Sequence, residues 1–169
     1  MSVSESLSRR INTELLRMEE DCIHSAKSHF NACDRWSLCN YLLGIPSVVL
    51  SAGASAAFFE DYPEIAGAMS AVVSVLAALM TFLKPSERAT GHKNSGNQYL
   101  SLRNDARVFR EIELLHSAED SAAMSGMNAL TTRRNELNQA SPQFSNRDFR
   151  KAKKGVEAGE ATHAVDMRG

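Results

Sequence analysis

Two long stretches without a formal charge lie next to each other in the middle of the chain. They run from Trp36 to Phe59 and from Ile65 to Leu83, separated only by Glu60, Asp61, Tyr62, Pro63 and Glu64. As helices rising about 1.5 Å per residue they would reach roughly 36 Å and 28 Å, enough to cross a hydrocarbon layer of roughly 30 Å. The expected fold is therefore all-α: a two-helix transmembrane hairpin with long cytosolic amphipathic helices before and after it. The first stretch is the more dilute, because Asn40, Pro46, Ser47, Ser51 and Ser55 interrupt its apolar residues.

The competing expectation is a soluble bundle that buries both helices. Such helices need apolar surface around them on every side. The flanking segments offer only single stripes: Leu7, Ile11, Leu15, Met18 and Cys22 before the hairpin, and Tyr99, Leu102, Ala106, Phe109 and Ile112 after it. A stripe covers one side of a neighbour, not its whole circumference.

Boundaries follow from the breakers and charges. Residues 1–35 read as a cytosolic amphipathic helix, with Ser4 or Ser6 available as a cap, able to continue into the first span at 36–59. Pro46 falls inside that span and is expected to kink it. Residues 60–64 make a short outer loop with Pro63 at the turn, and 65–83 form the second span. Residues 84–140 read as cytosolic helices. Ser86 can cap the first of them, Gly91 and Gly96 weaken it, and Ser141-Pro142 stops the last, whose one side carries Met127, Leu130, Arg134 and Leu137. Residues 141–169 read as a flexible tail, basic through Arg147, Arg150, Lys151, Lys153 and Lys154.

The flanks also orient the hairpin. Arg9, Arg10, Arg17, Lys27 and Arg35 precede it; Lys84, Arg88, Lys93, Arg103, Arg107 and Arg110 follow it; the connecting loop has no Lys or Arg. The excess of cations on cytosolic loops places both termini in the cytosol, with Trp36 and Tyr41 near that interface. A secretory leader is not expected, because the N-terminal segment mixes charge with its apolar residues.

Within the spans the polar residues keep to one face. Asn40, Ser47, Ser51 and Ser55 are spaced by seven, four and four, and Ser70, Ser74 and Thr81 repeat the pattern beside Gly67. Small pairs accompany them: Gly53 with Ala57, Ala52 with Ala56, Gly67 with Ala71. Two uses are open. The faces can pack the spans closely together, each serine bonding its own helix. Or several hairpins can assemble so that these faces line an aqueous path. Two helices enclose no conduit, so the second use needs a homo-oligomer, and Glu60, Asp61 and Glu64 would then ring its outer mouth and favour cations.

Catalytic patterns are not legible. The histidines at 24, 29, 92, 116 and 163 lack metalloprotease or zinc-finger spacing, and most of them read as surface residues. Gly91 and Gly96 lack the lysine and hydroxyl of a phosphate loop. Cys22, Cys33 and Cys39 are odd in number and irregularly spaced, which fits free thiols in a reducing compartment. A net charge of −1 gives no reason to expect nucleic-acid binding. No enzyme activity, cofactor or metal is expected.

The whole arrangement resembles a known family. A charged helix leads through Trp36 into a first span bearing Leu-Gly-Ile-Pro-Ser-Val-Val-Leu-Ser-Ala. After a short acidic loop, the second span ends in Ala78-Leu79-Met80-Thr81-Phe82-Leu83-Lys84, and the following helix carries Glu87, Arg88, His92, Tyr99, Leu102 and Arg103. Over residues 10–137 this resembles the SLATT family, the two-transmembrane effector domains that associate with bacterial nucleotidyltransferase and nucleotide-sensing (SMODS and SLOG) conflict systems. The resemblance implies a pore-forming effector of antiviral defence in the bacterial inner membrane, triggered by a nucleotide signal or a partner. That partner would be a nucleotidyltransferase, a reverse transcriptase or a nucleotide-sensing protein, and the outcome arrest or death of the infected cell. It brings no catalytic residues. A non-conducting membrane anchor for a soluble partner and a holin-like lysis protein are the rival expectations.

Overall fold

The computed structural model describes residues 4–117 and 119–163, and every regular element among them is helical. Helix α1 runs from Glu5 to Phe59, α2 from Pro63 to Leu83 and α3 from Pro85 to Val108. A π-helical turn, Phe109–Glu113, leads into the short α4 at Leu114–His116. Helices α5 (Asp120–Ala140) and α6 (Asn146–Glu157) complete the chain. It forms two compact units: the described residues of 1–32 and 91–169 make one, and residues 33–90 the other.

The first unit is a helical bundle with a continuous apolar core. Ile11, Leu15, Met18, Cys22 and Ala26 of α1 are buried against Tyr99, Leu102 and Ala106 of α3 and Phe109 of the π turn, with Ala123 and Leu137 of α5. Their spacings of three and four put each set on one helical face, so the sequence stripes become the core. Leu7, Met127 and Leu130 pack around its edge. Polar contacts tie the rim: Arg110 Nε donates to Glu19 at 2.7 Å, Arg134 to Asp21 at 2.8 Å, and the Tyr99 hydroxyl to Asn138 Oδ1 at 2.7 Å. Glycines let the helices approach. A Cβ at Gly96 would stand 2.8 Å from the Phe30 ring, and one at Gly126 would collide with Phe109.

Several expected details are corrected. Ile112 leaves the core, 56% exposed, and Leu114 enters it, 4% exposed. The π turn adds a residue after Phe109, so the stripe resumes five positions on, not three or four. Ser86 is not a cap: Pro85 opens α3, where a missing amide costs nothing, and Ser86 lies in the first turn. Pro63 likewise opens α2, and the turn itself is Glu60–Tyr62. The expected flexible tail from 141 contains α6. Ser145 caps this helix reciprocally with Asp148, and Asp148 and Ala152 are buried. The last part of that tail, 164–169, lies outside the described residues.

The second unit is the hairpin. Helix α1 continues through Pro46 without a break in its helical assignment, although position 46 has no amide to donate to the Leu42 carbonyl. The side chain of Met80 lies 3.7 Å from a Cβ built at Gly44, and that of Met69 lies 3.3 Å from one at Gly53. As position numbers rise in α1 they fall in α2, so the two helices run antiparallel. Lys84 ends α2 in the left-handed region (φ 46°), its amide donating to the Met80 carbonyl at 3.0 Å.

Candidate functional site

The site is the hairpin unit itself. Both α1 and α2 are long and apolar enough to cross a membrane, and only 6% of the most apolar window of each is buried. Large apolar side chains stand uncovered by the chain: Val48 is 71% exposed, Phe59 84% and Phe82 83%. The residues were expected to face oil, and nothing in their own unit shields them. A contiguous uncovered apolar surface of this kind marks a membrane or protein contact in a folded chain.

Each helix also carries a polar face. At about 100° per residue, Ser47, Ser51 and Ser55 point away from Leu38, Leu42, Ile45 and Val49, and Ser70, Ser74 and Thr81 point away from Val72, Val75 and Leu79. Each of these hydroxyls donates to the carbonyl four residues back. The distances are 2.7 Å for Ser47 and Ser51, 3.1 Å for Ser55, 2.8 Å for Ser70, and 2.9 Å for Ser74 and Thr81. The single donor of each hydroxyl is thereby used, and what it still offers is an acceptor oxygen. A surface lined by such groups tolerates a dry environment and also suits a cation or a water donor.

Five of the expected residues meet in one place. Ser51 and Ser55 from α1, with Gly67, Ser70 and Ser74 from α2, line a groove of about 800 Å³ floored by the buried Ala54 and Ala66. Phe58, Phe59 and Pro63 bound it toward the loop. Asn40, Ser47, Gly53 and Thr81 do not line it. Gly53 instead packs against Met69, whereas a Cβ at Gly67 would meet nothing within 4 Å. The two glycines therefore differ: one is part of the hairpin's packing, the other part of the open groove.

The ends of the hairpin are chemically distinct. Glu60 and Asp61 lie in the turn and Glu64 in the first turn of α2, all exposed. Asp61 adopts φ 59°, and the Tyr62 amide donates to the Ala57 carbonyl at 2.9 Å. At the other end the Trp36 ring has two guanidiniums over it, those of Arg35 and Arg88, at 5.3 Å and 4.8 Å from its centroid. Lys84 pairs with Glu87 at 3.3 Å. An aromatic ring with flanking cations is the chemistry that settles at a headgroup layer.

In the other unit two of the five histidines are not surface residues. His29 and His92 are 1% and 3% exposed, with their Nδ1 atoms 3.0 Å apart. Tyr99 stacks on His29 and Phe144 meets it edge-on. Burial, and then the neighbouring His92, push the His29 pKa down to about 4. The pattern was present in the sequence: His29 lies seven residues after Cys22, and His92 seven before Tyr99, which extends both buried stripes by two turns. Cys22, Cys33 and Cys39 are free, and burial raises the Cys22 thiol to about 11, which makes it a packing residue and not a nucleophile. Among the described residues no group of His, Cys, Asp and Glu has the arrangement of a metal site.

Fold and site define an all-helical chain with an apolar hairpin and a separate helical bundle. No family model, curated protein or solved structure matches it.

Proposed function

We propose that the protein is an oligomeric membrane effector that opens an ion-conducting path through a bacterial inner membrane when a signal or partner engages its bundle. Both termini lie in the cytosol, as the cationic flanks and the cation-free loop require. The observation that carries this reading is the two-faced helix pair: uncovered Leu42, Ile45, Val49, Val75 and Leu79 on one face of each helix, and a groove lined by satisfied hydroxyls on the other. Several copies can turn their apolar sides to lipid and their grooves inward. Acceptor oxygens and the acidic loop would then favour cations. The antiviral setting, and a nucleotide signal from a nucleotidyltransferase, reverse transcriptase or nucleotide-sensing partner, rest on the resemblance to SLATT effectors. Opening would be a shift between two packings of the helices, biased by what binds the bundle.

The test is ion flux in reconstituted vesicles and membrane potential in producing cells. Gly67→Leu projects into the groove from a position where the Cβ itself meets nothing within 4 Å, and should abolish flux while leaving insertion intact. Gly53→Leu is a poorer probe, because it strikes Met69 and disturbs the hairpin itself. Vesicles that stay tight to small ions with triggered wild-type protein overturn the proposal. The second reading is a non-conducting anchor. The bundle favours it, because its core is complete without the hairpin. Retained function after exchange of both spans for an unrelated hairpin would select it.

A further inference from the structure

The C-terminal end of the bundle lines a second, open cavity within the bundle unit. Helix α6 ends in a Schellman turn: the Glu160 amide donates to the Gly155 carbonyl at 3.1 Å and the Gly159 amide to the Val156 carbonyl at 2.9 Å, with Gly159 at φ 86°. This geometry folds the chain back on the helix, and Arg103 Nη2 holds the Ala161 carbonyl at 3.3 Å. Glu160 is thereby placed over Gly155, where the missing side chain leaves room; a Cβ there would collide with Glu160 Oε2. From that position the carboxylate pairs with Lys27 of α1, whose side chain is only 21% exposed. The hydrogen bond from Lys27, and its charge with that of Lys151, hold the Glu160 carboxyl below the usual range.

The pair sits at a cavity of about 380 Å³. Its lining carries three ammonium groups, Lys27, Lys151 and Lys154, against one carboxylate, Glu160, over an apolar floor that includes Phe30 and Ala152. The site thus holds a net charge of about +2 by formal count. A phosphate monoester carries about −1.5 to −2 at neutral pH and three acceptor oxygens, so it complements that charge better than one carboxylate does. The volume exceeds a bare phosphate and falls in the range of small-ligand sites, about 300–1,000 Å³, so the apolar floor has room for the ester's remaining part. A merely solvated basic helix face would lack the returning acid that pairs with the largely buried Lys27.

We propose that the cavity between α1 and α6, which Lys27, Lys151, Lys154 and Glu160 line, binds a phosphate monoester, and that the Glu160 carboxylate, paired with Lys27, is an internal stand-in which the ligand displaces. The phosphate belongs either to a soluble small molecule or to a lipid headgroup. The site lies wholly in the bundle and stands whether or not the hairpin conducts.

The experiment is calorimetric titration of phenyl phosphate into the full-length protein in nanodiscs, either of phosphatidylcholine alone or of phosphatidylcholine with phosphatidic acid. Saturable binding is expected in the first. Glu160→Gln should tighten it about fivefold, the weight of an exposed ion pair. Gly155→Ala should act alike, because its methyl group evicts the carboxylate. Lys27→Met and Lys154→Met should each weaken binding at least tenfold with the thermal melt unchanged. Weaker apparent binding in discs with phosphatidic acid assigns the phosphate to a lipid; equal binding assigns it to a soluble ligand. Absence of binding to Glu160→Gln at millimolar phenyl phosphate, or undiminished binding to both lysine variants, overturns the proposal.

Discussion

Acid should loosen the bundle through one side chain. His29 has a pKa of about 4 in the fold and 6.5 when free. The unfolded chain therefore binds the extra proton first, and stability falls with pH from 6.5 downward until the folded histidine also titrates near 4. Above pH 6.5 the histidine is neutral in both states and adds no pH dependence. The full loss is the difference of two and a half pKa values, roughly 3 kcal/mol, and about 2 kcal/mol of it is gone at pH 5. For a bundle of this size that is a drop in Tm of roughly 10 °C. The groups facing His29 are His92 and Tyr99 from α3 and the Phe144 ring. His29→Gln keeps a hydrogen-bonding group beside His92 and cannot titrate. Thermal melts in detergent at pH 7.5 and pH 5, followed by circular dichroism, give the comparison. Wild type should lose about 2 kcal/mol more than His29→Gln over this interval. Equal losses in the two proteins would show that burial does not hold the His29 pKa down, and would refute the reasoning.

Other outcomes follow from the packing. Leu102→Ala removes a fully buried side chain at the centre of the core and should cost about 2–5 kcal/mol in a denaturant titration. Gly126→Ala would gain about 1 kcal/mol from helix propensity alone. Its collision with Phe109 predicts instead a net loss of about 1–2 kcal/mol, and a stabilised variant would mean that the ring has room to move. Gly159→Ala should cost about 1 kcal/mol, because φ 86° suits only glycine without strain, and fluorescence or melting of the variant measures it.

The parts of the fold that were legible are those where one physical rule acts alone. Length without charge marked the hairpin, and the spacing of Leu15, Met18 and Cys22, or of Tyr99, Leu102 and Ala106, marked the core faces. The π turn was not legible, because its cause is tertiary: Phe109 fits against Gly126, and the register shifts after it to bury Leu114 in place of Ile112. Helix α6 was hidden by composition. Its many cations read as a solvated tail, while the Ser145 and Asp148 cap, three residues apart, was the local signal of a helix start. For the site, the serine faces could be read from their period of four and seven. Which of them share a groove could not, since that depends on the pairing of α1 with α2: it brings Ser51 and Ser55 beside Ser70 and Ser74 and leaves Ser47 and Thr81 apart. The pocket over Lys27 joins residues more than a hundred positions apart through a turn that one glycine permits, and no local pattern announces it.

The account depends most on the solvent around the hairpin. Nitroxides placed one at a time at Ile45, Val49, Val75 and Leu79, in a background with the three cysteines replaced by serine and the protein reconstituted in vesicles, report that solvent by their collision rates. Frequent collisions with dissolved oxygen and rare ones with a water-soluble nickel complex are predicted at all four, with the reverse at the exposed Asn128 of α5. Nickel collisions at the four positions as frequent as at Asn128 would mean that these helices face water, and the membrane hairpin would be contradicted.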